Sequence, residues 1–145
     1  GYDLMNEPVV PEKLGNGAKS WRDLAVDTIG AIRAIDSNIP IVFENQQWAI
    51  PNTLADFKAL PFRDVIYSVH FYYPYGVTFQ GLGRRPTEVN YPGMSDGEMW
   101  NRERLIKELK PVIDFQKKSG APIFIGEFSC IRWAPDAGSR QLLAD

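Results

Sequence analysis

Residues 20–43, SWRDLAVDTIGAIRAIDSNIPIVF, decide the fold. From Ser20 onward Trp21, Leu24, Ala25, Ile29, Ile32 and Ile35 recur at helical spacing, and Asp36-Ser37-Asn38 with Pro40 stops the pattern. The next element begins at once. Ile41-Val42-Phe43 is a continuous apolar run, as expected of a parallel strand covered on both faces. On the N-terminal side Tyr2–Met5 reads as a short buried strand, and residues 13–19, with Gly15-Asn16-Gly17, as a Gly-bearing loop. On the C-terminal side Asn52 or Thr53 can cap a shorter helix through Leu54, Phe57 and Leu60, and Val65–Val69 makes a third strand. A stretch rich in Tyr, Gly and Pro follows from about Phe71 to Gly93, too long for a plain connection and therefore a candidate functional loop. Ser95 and Glu98 have the spacing of a capping box opening a helix with Leu105, Ile106, Leu109, Val112, Ile113 and Phe115 on one face. Pro111 is expected to kink that helix and Gly120 to end it; Pro122–Ile125 is a fourth strand and Gly138–Asp145 a helical tail.

The order β, α, β, α, β, α, β implies a parallel sheet with right-handed crossovers, an α/β fold. Periodicity alone does not choose between an open doubly wound sheet and part of a (β/α)8 barrel. No Gly-rich phosphate loop follows any strand, which argues against a nucleotide-binding open sheet.

A chain of 145 residues, 44% hydrophobic and 23% charged, fits one domain over residues 1–145. Its net charge of -2, with lysines and arginines interleaved among acids, gives no footprint for nucleic acid. The single cysteine, Cys130, excludes an internal disulfide and reads as a small buried residue, and with only His70 beside it there is no His/Cys cluster for zinc. No apolar run approaches the roughly 20 residues that cross a bilayer, so no membrane partner is expected.

Parallel folds place their ligands at the carboxyl ends of the strands. The first strand ends in Asn6-Glu7, the second in Glu44-Asn45, the third in His70-Phe71-Tyr72 and the fourth in Gly126-Glu127. Glu44 alone is explained by a strand turning polar where it leaves the core. Glu7 and Glu127 together, with His and Tyr between them, can face one cleft. Two carboxyl groups about 5 Å apart cleave a glycosidic bond with retention, one attacking the anomeric carbon and the other serving as acid and then base.

Asn6-Glu7-Pro8 after Tyr-Asp-Leu-Met, then His70-x-Tyr72, then Ile125-Gly126-Glu127-Phe128 occur in the order found in glycoside hydrolase family 5, the cellulase and endoglucanase family, which the chain resembles over its whole length. The resemblance implies strands four to seven of a (β/α)8 barrel, that is, half a barrel of four βα units. It implies Glu7 as acid/base and Glu127 as nucleophile, Asn6 on the sugar 2-hydroxyl, His70 lining the cleft and Tyr72 orienting Glu127. The family's Arg and His from earlier strands and its Trp from strand eight have no counterpart among these positions. The substrate class implied is β-linked glucan or a related polysaccharide or oligosaccharide, with no cofactor and no metal. Secretion is expected by the same resemblance, although the N-terminus has no signal-peptide pattern.

Aromatic residues suit sugar faces. Trp48 and Trp133 are candidate platforms, with loop packing the alternative; Trp100, on the amphipathic helix, and Trp21 are core by spacing. Four parallel strands leave two open edges and an apolar face, faults that a homodimer closing eight strands into a ring removes. The alternative to an active endoglucanase-like hydrolase is a folded dimeric half barrel with little or no activity, a structural or weak carbohydrate-binding unit.

Overall fold

The computed structural model describes residues 1–10 and 15–145. Positions 13 and 14 of the expected Gly-bearing loop lie outside the described residues, while Gly15–Gly17 form a turn closed by the Ala18 N–H on the Gly15 carbonyl. The chain divides into two compact units, residues 1–70 with 111–126, and residues 71–110 with 127–145.

The first unit is built on a parallel sheet. Its strands are β1 (Tyr2–Asp3), β2 (Ile41–Glu44), β3 (Val65–His70) and β6 (Ile123–Glu127), in the order β1-β2-β3-β6. β1 is shorter than the apolar stretch suggested and lies exposed at the edge, although the Leu4 N–H still reaches the Val42 carbonyl. Ile41 pairs with Val65 and Phe43 with Tyr67, so the apolar run of β2 is buried as a central strand. The Tyr67 N–H bonds the Pro122 carbonyl, which joins β3 to the start of β6.

Helix α1 (Trp21–Ile35) begins where Ser20 accepts the Asp23 N–H. Trp21, Ala25 and Ile29 bury one stripe against the sheet, and Trp21 stacks on Phe43 with ring centres 5.9 Å apart. Leu24 and Ile35, assigned to that stripe by spacing, are exposed. Between β2 and β3 the expected α-helix is replaced by a short 3-10 turn, Pro51–Leu54, with no side-chain cap. Pro51 opens it, and the bonds Thr53 to Ile50, Ala55 to Asn52 and Phe57 to Leu54 all have i→i+3 spacing. Phe57 packs with Phe43 and Phe115 around Tyr67, whose hydroxyl accepts the Leu60 N–H at 2.6 Å.

The second unit holds the long loop. Within it lie α2 (Tyr75–Thr78) and a hairpin of β4 (Gly93–Ser95) and β5 (Glu98–Trp100). Ser95 and Glu98 are therefore paired across a two-residue turn rather than capping a helix. Asp96 and Gly97, at φ 52° and 82°, supply the two left-handed positions that such a turn requires. Trp100 is consequently a strand residue, though buried as expected. Helix α3 (Arg102–Ser119) starts after Asn101, whose side chain accepts the Arg104 N–H, and it continues through Pro111 to Gly120. Val77, Tyr91, Trp100, Leu105 and Leu142, the last from α4 (Asp136–Ala144), form the core of this unit, and Cys130 packs half-buried against it. Among the described residues no helix is long and apolar enough to cross a membrane.

Candidate active site

In the first unit the chain leaves β1 and bends at Asn6-Glu7. Glu7 adopts φ 45°, a left-handed conformation that a non-glycine residue keeps only where its surroundings hold it. The hold comes from Glu44, whose Oε2 accepts the Glu7 N–H at 2.7 Å. Glu44 is the last residue of β2 and only 2% exposed. Its register partner on β3 is Ser68, and residues two apart on a strand share a face, so Ser68 and His70 both reach it. Ser68 Oγ donates to Glu44 Oε1 at 3.2 Å, and His70 Nε2 lies 2.9 Å from the same oxygen. The other ring nitrogen, Nδ1, lies 2.8 Å from Glu7 Oε1.

Glu44, His70 and Glu7 thus form a line of contacts from the core to a carboxylate 32% exposed. Burying a carboxylate costs several kcal/mol unless donors surround it, and three groups meet Glu44 here. Gly126 on β6 makes room for them. A Cβ at that position would stand 2.4 Å from Ser68 Oγ and 3.3 Å from His70 Nε2.

After β2 the backbone passes through Gln47, Trp48 and Ala49, at φ 60°, 59° and 54°. Three successive left-handed residues cost of order 1–3 kcal/mol each unless they are held in place, and one hold is the Ala49 carbonyl accepting the His70 N–H at 2.9 Å. The turn leaves Trp48 52% exposed.

In the second unit Tyr72 donates its hydroxyl proton to Glu127 Oε2 at 3.0 Å. Thr78 Oγ1 holds the Tyr72 carbonyl at 2.5 Å, and the Tyr72 ring packs on Phe79, itself stacked on Tyr75. The Phe71 N–H bonds the Glu127 carbonyl at 2.8 Å. Trp133 is 58% exposed, and its indole N–H donates to the Gln80 carbonyl at 2.9 Å. The Gln80 side chain is buried and bonds the Val77 carbonyl and both the N–H and carbonyl of Val89, so the long loop is tied internally.

Of the residues picked from the sequence, Glu7 and His70 come together in the first unit and Tyr72 and Glu127 in the second. Asn6 is exposed beside Glu7, and Trp48 and Trp133 present their rings to solvent. His70 is buried, with its ring against the Glu7 carboxylate. Glu44 and Ser68 were missed. The available signal was a carboxylate closing an otherwise apolar strand, level with a serine in the neighbouring one.

Comparison with known proteins gives a consistent result. The family model described as Cellulase (glycosyl hydrolase family 5) matches residues 1–139. Endoglucanase C of Acetivibrio thermocellus is 28% identical over 156 aligned positions, covering 90% of this chain and 44% of that protein. Endoglucanase 3 of Fibrobacter succinogenes is 37% identical over 82 residues, 55% of this chain and 12% of its own length. Among solved structures, endoglucanase Cel5A from the hyperthermophilic Thermotoga maritima superposes with TM-score 0.73 at 26% identity, covering 97% of this chain and 44% of that one. A further endoglucanase reaches TM-score 0.80 at 25% identity over the same shares. The chain therefore has the α/β fold of the (β/α)8 hydrolases it matches and spans less than half of their length.

Proposed function

The chain belongs to glycosyl hydrolase family 5, the cellulase family, and from that premise we propose that it is an endoglucanase-like glycoside hydrolase acting on β-linked glucan or a related polysaccharide. The reaction is retaining. Glu127 attacks the anomeric carbon through its carboxylate while Glu7, as the carboxylic acid, gives its proton to the departing glycosidic oxygen. A covalent glycosyl ester on Glu127 results. Glu7, now a carboxylate, takes a proton from water, the water oxygen attacks the anomeric carbon, and Glu127 leaves with its charge restored.

The observation that carries this reading is that Glu7 comes shortly after β1, Glu127 closes β6, and each has a side-chain partner suited to its role. Tyr72 donates to Glu127 and holds its carboxylate in place, and His70 stands against Glu7, where a proton must come and go. Trp48 and Trp133 offer exposed rings for the apolar faces of sugars. Asn6, next to Glu7, is the candidate for the 2-hydroxyl. No cofactor enters any step.

The outer strands β1 and β6 carry exposed Tyr2 and Phe124. For a preparation of these 145 residues we assign the cover of those edges to a second copy, a homodimer that completes half a barrel to a whole one. A second reading is a folded unit that binds saccharide with little turnover, supported by the exposed rings of Trp48 and Trp133.

Hydrolysis of an aryl cellobioside separates the two. The hydrolase reading expects activity that falls about 10²–10⁴-fold in Glu7→Gln and in Glu127→Gln. Activity equal to wild type in both variants overturns it, and quenching of tryptophan fluorescence by cello-oligosaccharide without turnover favours the second reading.

A further inference from the structure

We infer that Glu44 is a positioning residue that keeps a proton on His70 Nε2, so that His70 Nδ1 and Glu7 share a single further proton between them. This rests on the assignment of Glu7 as acid/base. Glu44 receives the Glu7 N–H on one oxygen and faces Ser68 Oγ and His70 Nε2 with the other, at 2.7, 3.2 and 2.9 Å. The Glu7 N–H and the Ser68 hydroxyl both donate to Glu44, which suits an ionised carboxylate. An ionised carboxylate only accepts, so Nε2 carries the hydrogen of the third contact. The remaining ring nitrogen, 2.8 Å from Glu7 Oε1, has two ways to satisfy that contact. Either Nδ1 accepts from protonated Glu7, or Nδ1–H donates to ionised Glu7. The two states differ by the movement of one proton along one hydrogen bond.

Glu44 thereby fixes which ring nitrogen keeps its proton and leaves the other to exchange with Glu7, without itself touching substrate. Glu7, after β1, and Glu44, on β2, are titratable groups that face the ring, and Ser68 comes from β3 itself. β6 presents Gly126 to the ring and ends in Glu127.

His70 is the only histidine in the chain, so proton–nitrogen correlation spectra of isotope-labelled protein contain one imidazole. In wild type the ring is expected to show a protonated Nε2 across the folded range, with the Nδ1 signal alone changing as the shared proton leaves. In Glu44→Gln the amide oxygen still accepts from Nε2, and the Nδ1 change moves to lower pH by about one unit or more. The basic limb of the kcat/KM profile moves the same way, with KM little altered. A wild-type ring protonated on Nδ1 alone, or a titration unmoved in a folded Glu44→Gln, overturns the inference. The wild-type spectrum needs no variant, so it decides the tautomer even if Glu44→Gln fails to fold. Absence of turnover in wild type would count against the acid/base assignment, whereas the spectra test the proton placement whether or not the protein is active.

Discussion

At the scale of single residues, the site depends on a few side chains held in costly arrangements. Tyr72 gives Glu127 one hydrogen bond, and a bond to a charged acceptor is worth about 1.5–3 kcal/mol. Under the hydrolase reading the Tyr72 hydroxyl also orients Glu127 for attack, so Tyr72→Phe is expected to lower kcat/KM roughly 10–100-fold with little change in the melting curve; steady-state kinetics beside calorimetry checks this. Gly126 makes the opposite kind of prediction. Its Cβ would fall 2.4 Å from Ser68 Oγ and 3.3 Å from His70 Nε2, so Gly126→Ala must displace Ser68 and is expected to cost about 1–3 kcal/mol, read as a lower midpoint in urea. Glu7, Tyr72 and Glu127 stood out in the sequence as candidates because their short motifs resemble a family's. Glu44 did not, because strands commonly turn polar at their ends, and only the register that brings Ser68 level with it reveals that this carboxylate faces inward.

At the scale of elements, the sequence was readable wherever burial follows a regular period. The stripe Trp21, Ala25, Ile29 and the run from Ile41 to Phe43 appear as helix and central strand. The failures came where two local signals compete. Ser95 and Glu98 are three apart, which fits a capping box and equally a pair facing across a two-residue turn; Asp96-Gly97 between them decides for the turn. Asp96 also accepts the Gly76 N–H at 2.8 Å and the Ser95 hydroxyl, so it ties the hairpin to α2. Asp96→Ala is expected to destabilise the protein by about 1–2 kcal/mol. Asp96→Asn, which tolerates the left-handed backbone and keeps an acceptor, should cost less than half of that. Equal losses in the two variants would show that charge, not the acceptor, makes the tie.

At the scale of the whole molecule, both units bury a tyrosine hydroxyl. Burial pushes Tyr67 above the ordinary range near 10, and burial, then the hydrogen bond to Asp145 and that residue's charge push Tyr91 further up. The fold favours the neutral form, so its contribution to stability is complete below the ordinary value and is lost as pH rises past it. Tyrosinate absorbance should therefore show ionisation of Tyr67 and Tyr91 coinciding with alkaline loss of circular dichroism, and Tyr91→Phe should remove part of that coupling. The sheet carries the remaining consequence. β1 and β6 are its outer strands, and an edge strand with unpaired backbone groups and an exposed aromatic invites another strand. A second copy related by a twofold axis can pair β1 of one with β6 of the other at both seams, which makes eight parallel strands. Sedimentation of these 145 residues at micromolar concentration is expected to show a dimer. Phe124→Lys, which places a charge on the exposed face of β6, should shift it toward monomer and lower the melting temperature in a concentration-dependent way. A well-folded monomer in wild type removes the dimer and leaves the edges to be protected by the short length of β1 and the charges around it.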